Sequence, residues 1–332
     1  MSWDRRHFLM GGSAIASGAL IHAGEAQAAP VASARSVTEF GVRPDSTADQ
    51  TAALQKAIDQ ISAAGEFVHM PGGKYLTGAL KLPARCAIAG VPGRTQFVGK
   101  GGQPILDASG NQALTLSGLM FDGAADPLAP RRDIALIVIK GGDADISHCL
   151  LERCGGGGIA ADGIGGAIRA VNMREANGPA ILVSKARSIS VSQCTVRGGD
   201  ASGIDLATSE SEQGGAIVTG NHIVKCATGI SLKGSGAVSG NVVAGSSAFG
   251  LRLGGGYDSG VISATGNTIG DCTIAIGVVA GGETILASIN LISKPADAAI
   301  RAFSGSKLVG PDLARESAEA YLNLTVAGNV VR

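Results

Sequence analysis

A short phrase that repeats through the middle of the chain limits its fold more than any other feature. Between residues 216 and 280 the phrase Val-x-Gly-Asn-x-Ile/Val occurs with small variations, and its asparagines are Asn221, Asn241 and Asn267. A few small residues and a second apolar stretch follow each copy. The asparagines are 20 and 26 residues apart, which is typical of one coil of a solenoid.

Each copy holds two short stretches in which apolar residues alternate with polar or small ones. This period of two is that of a strand. One such unit cannot bury its apolar face alone, but units stacked in parallel at about 4.8 Å can do so. Glycine and asparagine tolerate the left-handed backbone of a sharp corner, and stacked asparagines can form a hydrogen-bonded ladder. We therefore predict an all-β fold, a single-stranded right-handed parallel β-helix.

The repeat extends in both directions from this region. Alignment of the copies predicts one stacked column of residues: Leu119, Cys149, Asn172, Cys194, Asn221, Asn241, Asn267 and Asn290. A last copy at Asn329 follows 39 residues after Asn290, which leaves room for either a degenerate coil or a loop. The 51 glycines argue against long helices, because each costs about 1 kcal/mol inside a helix.

The first residues have the features of an export leader. Arg5 and Arg6 are followed by a weakly apolar run, and Ala26-Gln27-Ala28 fits a cleavage site. We predict a twin-arginine signal peptide at residues 1–28. The protein would then use the twin-arginine translocation machinery and be periplasmic or secreted. An ordinary secretory leader with a chance arginine pair is the alternative.

The next segment indicates a cap. Thr47 and Gln50 have the spacing of a capping box, an apolar stripe favours a helix over residues 48–64, and Gly65 would end it. Residues 67–70 and 75–76 should form strands around a Pro-Gly-Gly turn. We expect residues 29–115 to form a cap with the first coils and residues 116–332 the repeated coils. The last coil ends uncapped, as in a truncated chain or one whose edge a partner covers.

These N-terminal residues carry a family resemblance. The segments Glu39–Asp45 and Val68–Tyr75 resemble the start of pectin-lyase-like superfamily proteins, a group that includes polygalacturonases, pectate-lyase relatives and phage tailspikes. With the arginine pair and the repeat spacing, the chain resembles a twin-arginine-translocated repeat family of β-helix proteins whose activity is not established. The resemblance implies the fold but no reaction, because a fold does not define a function.

Charge and composition narrow the range of partners. The 27 basic and 27 acidic residues cancel, so the chain lacks the basic excess that a nucleic-acid partner requires. Its apolar runs are shorter than the roughly 20 residues that span a membrane, so we expect no membrane association of the mature chain. Flavin, haem and molybdopterin motifs are not evident, and any cofactor remains unknown.

The six cysteines should be free thiols. The predicted register places Cys149 and Cys194 in one column two coils apart, or about 9.6 Å. Cys226 and Cys272 lie two coils apart in another column. A disulfide needs Cα atoms within about 7 Å. We therefore expect buried thiols that act as small apolar fillers.

The second strand of each coil supplies the candidate site. Stacking directs five apolar residues into the core: Ile159, Val183, Leu206, Leu232 and Leu253. It places seven residues in one outward column: Ala160, Leu182, Asp205, Ser231, Arg252, Gly277 and Arg301. Asp162 and Lys233 fall in the next outward column. Loops at residues 208–215 and 254–260 follow this strand and would wall the face into a groove.

A polyuronide lyase needs a cation that neutralises the substrate carboxylate and a base that removes the C5 proton, whereas a glycoside hydrolase needs paired carboxylates. We therefore propose Asp205, Lys233 and Arg252 as catalytic candidates. The candidate substrate-binding residues are Asp162, Ser231, Tyr257 and Arg301. The competing interpretation is a solvated wall whose charges oppose aggregation.

The sequence favours an exported protein that binds or processes an acidic polysaccharide in the cell envelope. The motif sets of polygalacturonases and mannuronan epimerases are missing, so the reaction is open between lyase-like and hydrolase-like chemistry. The low aromatic content, 3%, argues against stacking of neutral sugars. The alternative is a non-catalytic structural or protein-interaction solenoid.

Overall fold

The structure is a computed structural model, and it describes residues 33–124, 135–209, 214–256, 259–316, 321 and 323–332. The signal peptide predicted for residues 1–28 lies outside the described residues. Residues 33–332 form one compact unit. Within the described ranges, the helices are too short or too polar to cross a bilayer.

Three sheets make up the unit. Sheet A has twelve strands: β1 Ala34–Ser36, β2 Phe67–Met70, β5 Arg85–Gly90, β8 Ala113–Ser117, β11 Asp143–Ser147, β14 Gly165–Arg169, β17 Ser188–Ser192, β20 Gly215–Thr219, β23 Gly236–Ser239, β26 Val261–Thr265, β29 Thr284–Ser288 and β33 Leu324–Ala327. Sheet B has eleven strands: β3 Gly73–Thr77, β6 Thr95–Gly99, β9 Met120–Asp122, β12 Leu150–Cys154, β15 Asn172–Ala176, β18 Thr195–Gly199, β21 His222–Val224, β24 Val242–Ala244, β27 Thr268–Gly270, β30 Leu291–Ser293 and β34 Val330–Val331. Sheet C has eleven strands: β4 Leu80–Lys81, β7 Leu106–Ser109, β10 Ala135–Lys140, β13 Gly157–Asp162, β16 Ile181–Ala186, β19 Ser202–Thr208, β22 Thr228–Lys233, β25 Phe249–Gly254, β28 Ile274–Ala280, β31 Ala298–Ser304 and β32 Lys307–Val309.

The chain visits the sheets in the order A, B, C and then begins the next coil. From β2 to β28, each strand therefore pairs in parallel with the strand three elements later, whereas β1 pairs with β2, β29 with β33 and β30 with β34. Among the described strands, only β31 and β32 pair in antiparallel fashion. The apolar side chains inside the three walls form one continuous core. The predicted right-handed parallel β-helix is confirmed.

An asparagine ladder joins the coils at the corner between sheets A and B. The Nδ2 atom of Asn221 donates to Asn241 Oδ1, and that of Asn241 donates to Asn267 Oδ1, both at 2.9 Å. The same contact continues through Asn290 to Asn329. Asn329 therefore belongs to the coil directly after Asn290, so the 38 residues between them add no extra coil. The described part of this segment includes the β31–β32 hairpin.

One member of the predicted column was wrong. Asn172 pairs with Leu150 and Thr195 as the first residue of β15, so Val171 occupies the column between Cys149 and Cys194. The side chain of Asn172 is exposed, whereas Val171 is fully buried. The asparagine lies one position too late to join the ladder.

The residue just before each ladder position adopts the left-handed backbone. These residues are Gly118, His148, Ala170, Gln193, Gly220, Gly240, Gly266, Ile289 and Gly328. Ile289 is exceptional, since it has φ of 56° and its side chain is 71% exposed. A β-branched side chain is strained in this region of backbone space. The corner therefore holds Ile289 in a left-handed backbone conformation that isoleucine disfavours.

Helix α1 spans Thr51–Ala63 and packs Leu54, Ala57, Ile58 and Ile61 against the first coils. It starts later than predicted, and the capping box from Thr47 was wrong. The side-chain Oε1 atom of Gln50 instead accepts a hydrogen bond from the amide of Arg43.

Asp49 provides the cap that Thr47 was expected to supply, because its Oδ1 atom accepts from the amide of Thr51. The end is as expected: Gly65 has φ of 73°, and its amide and that of Glu66 close back onto Ser62 and Ile61. A 3₁₀ helix, Val37–Phe40, precedes α1.

The six cysteines are free and buried, as predicted. Cys149 and Cys194 lie two coils apart with Val171 between them. Burial raises the pKa of the thiols of Cys149 and Cys194 to about 11. Burial also raises the pKa of the Cys154 thiol to about 12. These side chains serve as apolar fillers, because burial disfavours the reactive thiolate.

A single carboxylate covers part of the last parallel strand of sheet C. The Asp312 carboxylate accepts hydrogen bonds from the amides of Ala299, Ile300 and Ala314 at 3.0–3.1 Å. Burial alone would raise the pKa of Asp312, but these bonds and Arg315 hold it below its usual value. Asp312 thus satisfies strand donors that the next coil would otherwise bind.

Candidate functional site

The outer face of sheet C carries the column that the sequence predicted. Strand pairing places the seven residues in direct register: Ala160, Leu182, Asp205, Ser231, Arg252, Gly277 and Arg301. The five residues predicted to point inward from these strands are all fully buried. The alternation holds because apolar side chains on one face must reach the core.

Three charged side chains on this face have no partner among the residues that the structure describes. Asp205, Lys233 and Arg252 are each half-buried, and none of them makes an ion pair or a side-chain hydrogen bond with any described residue. Asp205 and Arg252 lie on opposite sides of Ser231, two strands or about 9.6 Å apart. A partly desolvated charge with no counter-charge is costly, so this face is suited to a charged polar ligand.

The proposed binding residues are placed less uniformly. Asp162 lies near the exposed Lys185, with 3.9 Å between Oδ1 and Nζ. Arg301 is engaged on both sides, by Asp297 Oδ1 at 3.3 Å and by the carbonyl of Gly310 at 3.1 Å. Ser231 points outward but is only 3% exposed, so its neighbours cover it. Tyr257 lies outside the described residues.

A glycine-rich loop lies against Lys233. A Cβ added to Gly256 would come within 2.7 Å of Lys233 Cβ, so the loop backbone packs directly on the lysine stem. Glu283, which is 2% exposed, holds this loop by accepting from the amides of Gly255 and Gly256 at 3.3 and 2.9 Å. The buried carboxylate thus fixes one wall of the face beside Lys233.

Two aromatic rings on the same face were missed by sequence analysis. Phe249 and Phe303 meet edge to face with 5.4 Å between their centroids. The Phe249 ring lies across Gly277, the residue between Arg252 and Arg301 in the outward column. The sequence signal for this ring was weak: Gly277 has no side chain, so it leaves room on the outer face for a ring from a neighbouring strand.

The described side chains of this face that could contact a ligand include a carboxylate, two cations and two aromatic rings. The described parts of the chain contain no group of three or more His, Cys, Asp or Glu side chains that could hold a metal ion.

Solved structures share this fold at low sequence identity. The catalytic unit of a thermostable GH87 α-1,3-glucanase from Streptomyces thermodiastaticus strain HF3-3 has a TM-score of 0.62 and 16% identity, and the match covers 91% of this chain and 69% of that one. The tailspike of Acinetobacter phage vB_ApiP_P1 has a TM-score of 0.62 and 14% identity, over 90% of this chain and 58% of that one. The Agl-KA catalytic domain has a TM-score of 0.53 and 14% identity, over 92% and 69% of the two chains.

Sequence comparison gives a family but no single close relative. No curated protein matches the chain significantly. The family model described as rhamnogalacturonase A/epimerase, pectate lyase-like, matches residues 34–252, which is more than half of the chain. This match includes the predicted N-terminal segment and the coils that carry Asp205, Lys233 and Arg252. The chain therefore belongs to the pectate lyase-like rhamnogalacturonase A/epimerase family.

Proposed function

We propose that the protein binds an acidic polysaccharide along the outer face of sheet C and cleaves it there. The observation that carries this proposal is the group of half-buried charges Asp205, Lys233 and Arg252, which make no ion pair with any residue in the described part of the chain. A uronate chain would supply carboxylates to the two cations and a weakly acidic C5 proton to the carboxylate. The family and the glycan-active neighbours in fold support a carbohydrate ligand.

Elimination fits the available groups better than hydrolysis. Arg252 and Lys233 would bind the carboxylate of the uronate and stabilise the charge that develops on it. Asp205 would accept the C5 proton, the C5–H electrons would form the C4–C5 double bond, and the oxygen on C4 would leave with a proton from solvent. A hydrolase needs a second carboxylate at a defined separation, and Asp162, in the neighbouring column, lies near Lys185 instead.

The test uses the purified chain with a panel of polyuronides. Polygalacturonate, polymannuronate and polyguluronate would be incubated with the protein, while the absorbance of the unsaturated product and the reducing ends are followed. We expect unsaturated ends to form and Asp205→Asn to lower the rate at least a hundredfold, the usual scale for a general base. Arg252→Ala and Lys233→Ala should weaken binding in calorimetry.

Arg197→Ala is the matched control, because Arg197 is an exposed arginine on the outer face of sheet B. Its activity and affinity should equal those of the unaltered chain. Reducing ends without unsaturation would replace elimination by hydrolysis. If none of the polyuronides binds and none is cleaved, the proposal is wrong.

A second candidate function is a protein-interaction scaffold. Large apolar side chains are exposed mainly on the later coils: Ile217, Val242, Val261, Leu286, Ile289, Leu291 and Val330. Such surfaces mark interaction sites when they are contiguous. Sedimentation at rising concentration tests self-association, and Val261→Ser with Ile289→Ser should abolish it. A monomer at all concentrations removes the support for self-assembly.

We also propose that the protein is exported by the twin-arginine route. Arg5, Arg6 and the Ala26–Ala28 site support this. A reporter fused to residues 1–28 should reach the periplasm, and replacement of both arginines by lysine should retain it inside. Export that survives this replacement would favour an ordinary secretory leader.

A further inference from the structure

The aromatic pair on sheet C is placed where a ligand would lie. Phe249 begins β25, and Phe303 lies in the outward face of β31, two strands away. The ring of Phe249 crosses the intervening strand at Gly277 and meets the edge of Phe303. Both rings are half-buried, so part of each remains open to solvent.

This use of phenylalanine contrasts with that of the stacked pair in the first coils. Phe97 and Phe121 are fully buried and stack in the core at 5.4 Å, as expected of large apolar side chains. Phe249 and Phe303 have no such core to fill, because the core positions of their strands hold smaller aliphatic residues such as Leu251. Their rings instead provide an apolar platform on a charged face.

The platform lies next to Arg252. Arg252 and Gly277 are paired in register, so the ring over Gly277 lies one strand, about 4.8 Å, from the Arg252 backbone. A pyranose ring presents an apolar C–H face and, in a uronate, a carboxylate at its edge. Stacking on an aromatic ring and pairing with a guanidinium are therefore available to one sugar unit or to two consecutive ones.

We propose that Phe249 and Phe303 form a sugar-stacking subsite that holds one pyranose ring of an acidic glycan beside Arg252. This inference rests on the proposed function. The subsite orients the chain across the strands, from Asp205 on β19 to Phe303 on β31. Four strand spacings separate these residues, or about 19 Å, so a ligand must be an oligosaccharide to contact both ends.

Gly277 offers a sharp test of the platform. A Cβ at this position would come within 2.6 Å of Phe249 Cδ1, and Gly277 does not have a positive φ, so alanine fits the backbone but displaces the ring. Gly215 is the matched control, since it also lies in a strand without positive φ and a Cβ there meets no described atom within 4 Å.

The experiment measures the affinity of a polygalacturonate hexamer and dimer by calorimetry. We expect Phe249→Ala, Phe303→Ala and Gly277→Ala each to weaken hexamer binding about fivefold to tenfold, the range of a lost aromatic contact. Gly215→Ala should bind like the unaltered chain, and Phe249→Tyr, which keeps the ring, should bind more tightly than Phe249→Ala. The dimer should bind more weakly than the hexamer, because it cannot span the face.

The outcomes separate the two proposals. If Arg252→Ala weakens binding while the three platform variants bind normally, the subsite is wrong and the proposed function stands. If the unaltered chain binds no polyuronide, both are wrong. Thermal unfolding of each variant identifies a folding defect. If a platform variant has such a defect, Phe249→Leu replaces it in the test, because leucine keeps the apolar bulk but removes the ring. Normal affinity of Phe249→Leu overturns the subsite, and reduced affinity supports it.

Discussion

Asn241 and Asn267 share a buried hydrogen bond of 2.9 Å between the Nδ2 atom of the first and the Oδ1 atom of the second. Asn241 also donates to the carbonyl of Val218 at 2.9 Å and accepts from the amide of Asn221 at 3.0 Å. Each asparagine thus links the corner of its own coil to those on both sides. The ladder fixes the stacking of the coils at the place where their backbone turns most sharply.

We expect Asn241→Ala to lower the free energy of unfolding by about 2–4 kcal/mol. The change leaves buried donors of Asn221 and the carbonyl of Val218 without partners, and each unsatisfied group costs about 1–3 kcal/mol. Denaturant titration followed by circular dichroism measures the loss. Asn172→Ala is the control, because this exposed asparagine lies off the ladder and should change stability by less than about 0.5 kcal/mol. Equal effects of the two variants would contradict a structural role for the ladder.

Ile289→Gly should stabilise the protein by about 1 kcal/mol. Glycine removes the steric cost of a left-handed backbone, and little burial is lost because the isoleucine is 71% exposed. The thermal midpoint should rise. Gly266→Ile, the reverse change one coil earlier in the same corner column, should lower it. A fall in the midpoint of Ile289→Gly would show that the exposed side chain makes contacts that outweigh the strain.

The buried thiols should make the protein less stable in alkali. Burial raises the pKa of Cys194 to about 11, whereas a thiol in the unfolded chain titrates near about 8.5. The contribution of the Cys194 thiol to the free energy of unfolding is therefore fully present below about pH 8.5 and is lost as the pH rises toward 11. Within that window, each such thiol lowers the free energy of unfolding by about 1.4 kcal/mol per pH unit. Denaturant titrations from pH 7 upward should show a shallower decline for Cys194→Ala, and parallel curves for the two proteins would contradict the expected thiol linkage.

Asp312→Asn should lower the free energy of unfolding at the end of sheet C by about 1–2 kcal/mol. The reason is that hydrogen bonds to an ionised group are stronger than those to a neutral amide. The pKa of Asp312 is lowered in the fold, so its stabilisation is present above about pH 3.9 and is lost as the pH falls below it. The variant should therefore lose less stability than the unaltered chain on acidification. Hydrogen exchange at the amides of Ala299 and Ile300 reports the local effect. Asp271→Asn, at an exposed corner, serves as the control, and unchanged exchange in Asp312→Asn would exclude the capping role.

The sequence was sufficient for the fold because the repeat encodes both period and register. The alternation of apolar residues located Asp205 and Arg252 in one outward column, and strand pairing confirmed that column residue by residue. The error at Asn172 arose because two adjacent residues, Val171 and Asn172, both fit the pattern locally. The strand register and the burial of Val171 decide between them.

The features that the sequence did not predict depend on contacts between coils. The capping residue of α1 is Asp49, and Thr47 looked equally suitable because both are good cap residues before the same apolar stripe. Phe249 belongs to one strand but covers a glycine on the next, a relationship that no single repeat contains. The low aromatic content argued against sugar stacking, but the proposed subsite needs only two rings.

Because each rung of the ladder closes one coil, the distance between charges on sheet C is counted in whole repeats. Removal of residues 221–240 would join Gly220 to Asn241 and delete one complete layer, including Ser231 and Lys233. Arg252 would then neighbour Asp205 directly, close enough for the two charges to neutralise each other. The spacing between charges on such a sheet can therefore be changed by one layer at a time, while the remaining layers keep their shape.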